Sequence, residues 1–104
     1  MSKISIIAKM TAAEGKSDEL EARFAELIAA AEEEAGLEVY SVHKDTKNEG
    51  TYYFFELYQD GDALGVHGKG ERMKPAMKAL GADLLAGRPE IIMMAPVAAK
   101  GLTV

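Results

Sequence analysis

The sequence predicts an α+β fold in which a four-stranded antiparallel sheet carries helices on one face. Four short stretches show two-residue hydrophobic alternation or are dense in aromatic and branched residues, and the segments between them repeat apolar residues at helical spacing. Their order is strand, helix, strand, strand, helix, strand, with the middle pair joined by a short polar loop. The composition agrees: 104 residues, 48% hydrophobic and 28% charged, suit one globular domain over 1–104, with a core at about 3–97 and a short tail.

Residues 3–10 alternate as a first strand, with Ile4, Ile6, Ala8 and Met10 on one face and Ser5, Ile7 and Lys9 on the other. Glu14-Gly15-Lys16 reads as a turn and Ser17 as the cap of a helix. Asp18 and Glu19 stand where the positive end of the helix dipole favours carboxylates. Leu20, Phe24, Leu27, Ala31 and Ala35 form the buried stripe, widened by Ile28, and Gly36 supplies the helix exit. On the opposite surface the acidic run Glu32-Glu33-Glu34 reads most simply as a solvated face.

In the second strand, 37–44, Leu37, Val39, Ser41 and His43 alternate with Glu38, Tyr40, Val42 and Lys44. Residues 45–50 have the length and chemistry of a hairpin loop. The third strand, 51–58, sets Tyr52, Phe54, Glu56 and Tyr58 against Tyr53, Phe55 and Leu57. Asp60 can cap a short helix through Ala63, Leu64, Val66 and His67, interrupted by Gly68-Lys69-Gly70. A further helix carries Pro75 in its first turn and a stripe of Met73, Met77, Leu80 and Leu84. A fourth strand spans 90–97.

This order is the split βαβ, ferredoxin-like arrangement, in which right-handed crossovers place both helical segments on one face. The other face should be polar, yet the strands set Ile6 against Ile7, Phe54 against Phe55 and Met93 against Met94. Both faces therefore need a cover, and a second copy of the sheet is the simplest one. A homodimer follows as the expectation, its two sheets enclosing a cavity.

Twelve Lys and Arg against 17 Asp and Glu give a net charge of -5, without a basic cluster to engage a phosphate backbone. The absence of cysteine excludes thiolate chemistry and Cys-ligated metals. No HxH, HExxH or phosphate-loop spacing occurs, so neither metal nor tightly bound flavin or nicotinamide is expected. No apolar run reaches the ~20 residues of a membrane span, and a cytoplasmic location is the default expectation.

Among candidate site residues Glu56 is the most informative. A carboxylate between Tyr52 and Tyr58 on a sheet face needs a partner or a raised pKa, unless Lys9 or Lys44 pairs with it across the sheet. His43 and His67 are the side chains suited to proton transfer near neutrality; His43 ends a strand, where a surface role is commoner, and His67 divides evenly between ligand contact and helix-cap packing. The apolar methionines, Met94 among them, read as packing or as lining for a planar hydrophobic ligand.

The chain resembles the antibiotic biosynthesis monooxygenase domain proteins from Ile4 to about Val97. The likeness lies in the Gly15-Lys16 helix entry, the Gly36-Leu37 exit and Tyr40-Ser41-Val42-His43-Lys44-Asp45. It is clearest in Phe55-Glu56-Leu57-Tyr58-Gln59-Asp60, followed by Ala63-Leu64 and His67. The segment 68–72 departs from the family's more usual Ser-Pro-containing helix entry. The resemblance implies a dimeric α/β barrel whose cavity takes a quinol or phenolic aromatic and O₂ without metal or flavin. It implies His67 or Glu56 near the reacting proton, Tyr58 beside the ring and Arg72 as anion stabiliser, with Tyr52, Phe54, His43 and Met94 contacting substrate. The family's haem-degrading branch carries an Asn, a Trp and a His where this chain has Ala8, His67 and Met77, which disfavours haem degradation. The alternative is a non-catalytic dimeric ligand-binding or stress-response module of the same fold. Enclosure of Glu56 and His67 would favour the enzyme, and surface ion pairs at both would favour the module.

Overall fold

A computed structural model describes residues 2–67 and 69–104. The elements run β1 (Ile4–Thr11), α1 (Ser17–Ala31), β2 (Leu37–Lys44), β3 (Thr51–Tyr58), α2 (Gly61–Val66), α3 (Met73–Lys78), α4 (Gly81–Leu84) and β4 (Glu90–Met94). The strands form one antiparallel sheet in the order β2-β3-β1-β4, with helices on one face, as the element order predicts.

The helix-side face is the core. β1 and β3 pair in register from Ile4 opposite Tyr58 to Thr11 opposite Thr51, so Ile6, Ala8, Tyr52, Phe54 and Tyr58 share that face. Leu20, Phe24, Leu27, Ala30 and Ala31 of α1 pack onto it. Leu20 and Leu27 are fully buried, each contributing roughly 1.5–3 kcal/mol. Phe24 meets the rings of Tyr52 and Phe54 edge-on, with centroids 5.1 and 5.3 Å away, the arrangement that the ring quadrupoles favour.

Four expectations are corrected in detail. Ser17 is the first helical residue and makes no cap; Lys16 holds the cap position without a side-chain bond. In β2 the register shifts between Leu37 and Val39, leaving Glu38 as an extra residue. Leu37 thereby joins Tyr40, Val42 and Lys44 on the helix side instead of sharing a face with Val39, because one inserted residue reverses the alternation. The single helix expected around Pro75 is two short ones, α3 and α4. Its Met73, Leu80 and Leu84 are buried while Met77 is 40% exposed. Finally, β4 stops at Met94, short of residue 97; Pro96 has no N–H to extend the ladder and Val97 is exposed. The break expected at Gly68 lies outside the described residues.

Two glycines are required where they stand. Gly50 closes the β2–β3 hairpin at φ 82°, a conformation that side chains resist. Gly36 has no such φ, but a Cβ there would lie 2.5 Å from that of Ala63. The turn after α1 is therefore pressed against α2.

Ile7 and Phe55 are directly paired on the sheet face away from the helices, with Ile92 beyond Ile7 on the edge strand. Apolar exposure concentrates on β4, where Ile91, Ile92 and Met93 are 57–60% exposed. No helix among the described residues is long and apolar enough to cross a membrane.

Candidate functional site

Glu56 lies at the centre of the helix-side face, opposite Ile6 of β1 and Tyr40 of β2. It is only 7% exposed. The Tyr58 hydroxyl, two residues along the same face, donates to Glu56 Oε1 at 2.6 Å, and Tyr58 itself is fully buried. Lys9 and Lys44, the possible cross-sheet partners, are engaged elsewhere, with Glu90 and Glu21 respectively. Burial raises the Glu56 pKa, against the opposing pull of the Tyr58 bond and of His67.

His67 arrives from α2. Asp60 caps that helix by accepting the Ala63 N–H at 2.8 Å. The helix ends at Val66 and His67 takes an extended conformation as its C-cap, with ψ 135°. The ring then reaches over the sheet: it meets Tyr58 edge-on with centroids 5.5 Å apart and lies 5.6 Å from Tyr40. His67 Nε2 is 3.9 Å from Glu56 Oε1, wider than a hydrogen bond and within ion-pair range.

The remaining member of the cluster is Glu34, whose carboxylate oxygens lie 3.0 and 3.2 Å from His67 Nδ1. The acidic run is thus not uniformly solvated. After Ala31 the backbone tightens: Glu33 N–H bonds to Ala30 and Glu34 N–H to Ala31, both three residues back. At three residues per turn, positions i and i+3 eclipse. Glu34 consequently stands over buried Ala31 and turns inward, while Ala35, the next expected member of the stripe, is exposed.

The phenols of Tyr58 and Tyr40 are held well above the ordinary tyrosine range, first by burial and then by the negative charge of Glu56, with Glu34 contributing as well. Both remain hydrogen-bond donors at neutral pH. Chemically the cluster sets two hydrogen-bonded pairs, Tyr58 with Glu56 and His67 with Glu34, beside one another in a site largely removed from water, where a carboxylate or the imidazole can accept a proton. Among the described residues no group of three or more His, Asp or Glu is arranged to hold a metal ion.

Of the other sequence candidates only Phe54 touches this cluster, through Tyr40. Tyr52 donates to Glu21 at 2.6 Å. Burial and that carboxylate push its phenol up to about 12. Phe54 packs between Phe24 and Tyr40. Both occupy the helix-side face, whereas His43 and Met94 are on the other one: His43 pairs across to Tyr53 and hydrogen-bonds Ser41 at 2.9 Å, and Met94 pairs with Ser5. Arg72 is at the surface, bound to Glu26 and, at 3.5 Å, to Glu33. Its ion pairs leave it far from poised for an anion inside the fold. Glu34 is the residue that sequence reading missed, because the helical spacing that runs through Ala31 continues to Ala35 and only the backbone bonds of the turn bring Glu34 inward.

A cleft of ≈ 620 Å³ adjoins the cluster through Glu34, bordered also by Glu33, Gly36, Asp60, Asp62 and Lys69. That volume lies within the range of small-molecule sites.

Comparison with known proteins bears on what this arrangement serves. No curated protein matches the chain. A protein from Caulobacter crescentus assigned by name to the antibiotic biosynthesis monooxygenases is 32% identical, with 93% of this chain and 92% of that one covered at a TM-score of 0.84. A Pseudomonas aeruginosa protein is 28% identical over 94% and 97% of the two chains, also at 0.84. A Nitrosomonas europaea protein of unknown function, 24% identical over 100% and 98%, shares the fold at 0.84. The family model described as antibiotic biosynthesis monooxygenase matches residues 3–79. Those residues include β1, the turn carrying Glu34, and all of Tyr40, Glu56, Tyr58 and His67, and the chain belongs to the antibiotic biosynthesis monooxygenase family.

Proposed function

We propose that this protein is a cofactor-independent monooxygenase that oxidises a quinol or phenolic aromatic with O₂, working as a homodimer. The observation that carries the reading is the buried Glu56, bonded by Tyr58 at 2.6 Å and faced by His67 at 3.9 Å. A carboxyl group with a raised pKa beside an imidazole is suited to take a phenolic proton near neutral pH. The resulting phenolate is electron-rich enough to reduce O₂ itself. For a simple phenol one oxygen atom enters the ring as a carbonyl oxygen and the other leaves as water, with all four electrons supplied by the substrate, which becomes a quinone.

In this reading Glu56 or His67 accepts the proton, Tyr58 holds Glu56 through its hydroxyl and stands beside the substrate ring, and the packed aromatic surround excludes water. The substrate approaches through the cleft at Glu34, whose Glu33, Asp60 and Asp62 favour a neutral phenol over a carboxylated one. Of the remaining candidates, His43 and Met94 lie on the sheet face that a partner subunit would cover; Tyr52 and Phe54 are packed beneath α1 and Arg72 is ion-paired at the surface, so this reading gives the three of them no part in the reaction.

Support for the homodimer comes from the apolar face of Ile7, Phe55 and Ile92 and from the exposed edge strand β4. Oxygen consumption with a panel of quinols and polyphenols, run aerobically and with anaerobic substrate controls, tests the activity. A second reading, a non-catalytic ligand-binding module, is favoured by one feature: among the described residues every buried side-chain nitrogen or oxygen is already partnered. Ligand binding without oxygen uptake across the panel would establish it.

A further inference from the structure

The acidic run at the end of α1 contains one residue that the fold treats differently from its neighbours. Glu32 and Glu33 are exposed, whereas the Glu34 side chain is 11% exposed, as is that of His67. Its backbone is fixed on both sides: its N–H bonds to Ala31 at 3.0 Å and its carbonyl accepts the Leu37 N–H at 3.0 Å. Gly36 in the same turn lies against Ala63 of α2 and accepts the Gln59 N–H at 2.9 Å. The turn carrying Glu34 and the helix leading to His67 are therefore docked to one another, which sets the distance between the two side chains.

We propose that Glu34 is a positioning residue for His67: its carboxylate accepts the Nδ1–H of the imidazole, selects that tautomer, and leaves a bare Nε2 aimed at Glu56 and Tyr58. An imidazole in water has no such preference imposed on it, and a ring nitrogen keeps a lone pair only when the other nitrogen carries the proton. The groups facing the ring are Glu34 from the turn after α1, Tyr40 from β2, and Glu56 and Tyr58 from β3. Of these, Glu34 alone reaches Nδ1 at hydrogen-bond distance. The other side of the ring is thus left to receive a proton. This assignment of Glu34 to the site deepens the monooxygenase reading and rests on it for its catalytic consequence, but the tautomer itself can be read without turnover.

The test is nitrogen NMR of the imidazole rings in ¹⁵N-labelled protein, at a pH well above the ordinary histidine value of about 6.5. The chain has two histidines, so a His43→Asn variant assigns the signals. The wild-type His67 ring should be in the Nδ1–H form. Glu34→Ala should convert most of it to the Nε2–H form, while Glu34→Gln, whose amide oxygen still accepts a hydrogen bond, should retain Nδ1–H. In the oxygen assay Glu34→Ala should lower kcat about 10-fold or more with KM nearly unchanged, and Glu34→Gln should recover part of it. Backbone amide spectra establish that both variants fold; should the alanine variant not fold, a wild-type ring found in the Nε2–H form would by itself overturn the proposal. An unchanged ring tautomer in Glu34→Ala would overturn it too. If the tautomer responds as expected and no phenol or quinol is oxidised by the wild type, it is the monooxygenase reading that fails and the role of Glu34 in holding His67 that stands.

Discussion

Glu34 and His67 are 33 residues apart in the chain, and their side chains meet at 3.0 Å. The contact ties the end of α1 to the end of α2 above the sheet, and its geometry depends on the glycine between them. Gly36 occupies a place where a methyl group would lie 2.5 Å from Ala63 Cβ and 3.2 Å from Gln59 Nε2.

Gly36→Ala should therefore force α2 outward. An overpacked contact of this kind costs roughly 1–3 kcal/mol, and the displacement should loosen His67 from both Glu34 and Glu56. Urea unfolding measures the first effect and the His67 ring signals the second. A variant as stable as wild type, with unaltered ring signals, would mean that the turn yields without cost.

The pH dependence of stability should carry the imprint of Glu56. Its folded pKa lies above the ordinary 4.5 because burial penalises the charged form, so the native state holds this proton more tightly than the unfolded chain. That contribution is fully present below pH 4.5 and is lost as the pH rises through the folded value. Relative to Glu56→Gln, which cannot ionise, the wild type should lose stability as the pH rises above 4.5. Unfolding midpoints of the two proteins at a series of pH values give the comparison; a wild-type margin that grows with pH would mean that the Tyr58 and His67 interactions outweigh burial.

On the proposed activity, the rate of quinol oxidation should rise with pH, since only the unprotonated base accepts the substrate proton. His67→Ala should lower kcat by about 10²-fold or more without unfolding the protein. Glu56→Gln should abolish the rising limb if Glu56 is the base, or displace its apparent pKa if it orients His67. Wild-type rates in both variants would assign these residues to structure and leave the ligand-binding reading ahead.

The association state should be that of a dimer at micromolar concentration, measured by light scattering. Ile92→Asp places a carboxylate on the exposed edge strand, in the apolar row with Ile7 and Phe55. It should dissociate the dimer while leaving the helix-side core intact, because Ile92 is 57% exposed in the single chain. A wild-type protein that scatters as a folded monomer would remove the basis for a shared cavity.

Periodicity and order were enough to determine the strands, the face shared by Tyr52, Phe54, Glu56 and Tyr58, and the likeness to the family, because local alternation decides which side chains share a face. Capping chemistry likewise announced Asp60. Three things were decided only by tertiary structure. The extra residue at Glu38 reverses the alternation of β2 and brings Tyr40 beside Glu56, a shift set by pairing with β3 and invisible in β2 alone. The tightened turn after Ala31 rotates Glu34 inward and Ala35 outward, a change of 3.6 to three residues per turn that hydrophobic spacing cannot resolve in a run of alanine and glutamate. And His67 finds Glu34 and Glu56 because α2 docks against Gly36: contacts between residues far apart in sequence depend on how the elements pack, which no local pattern encodes.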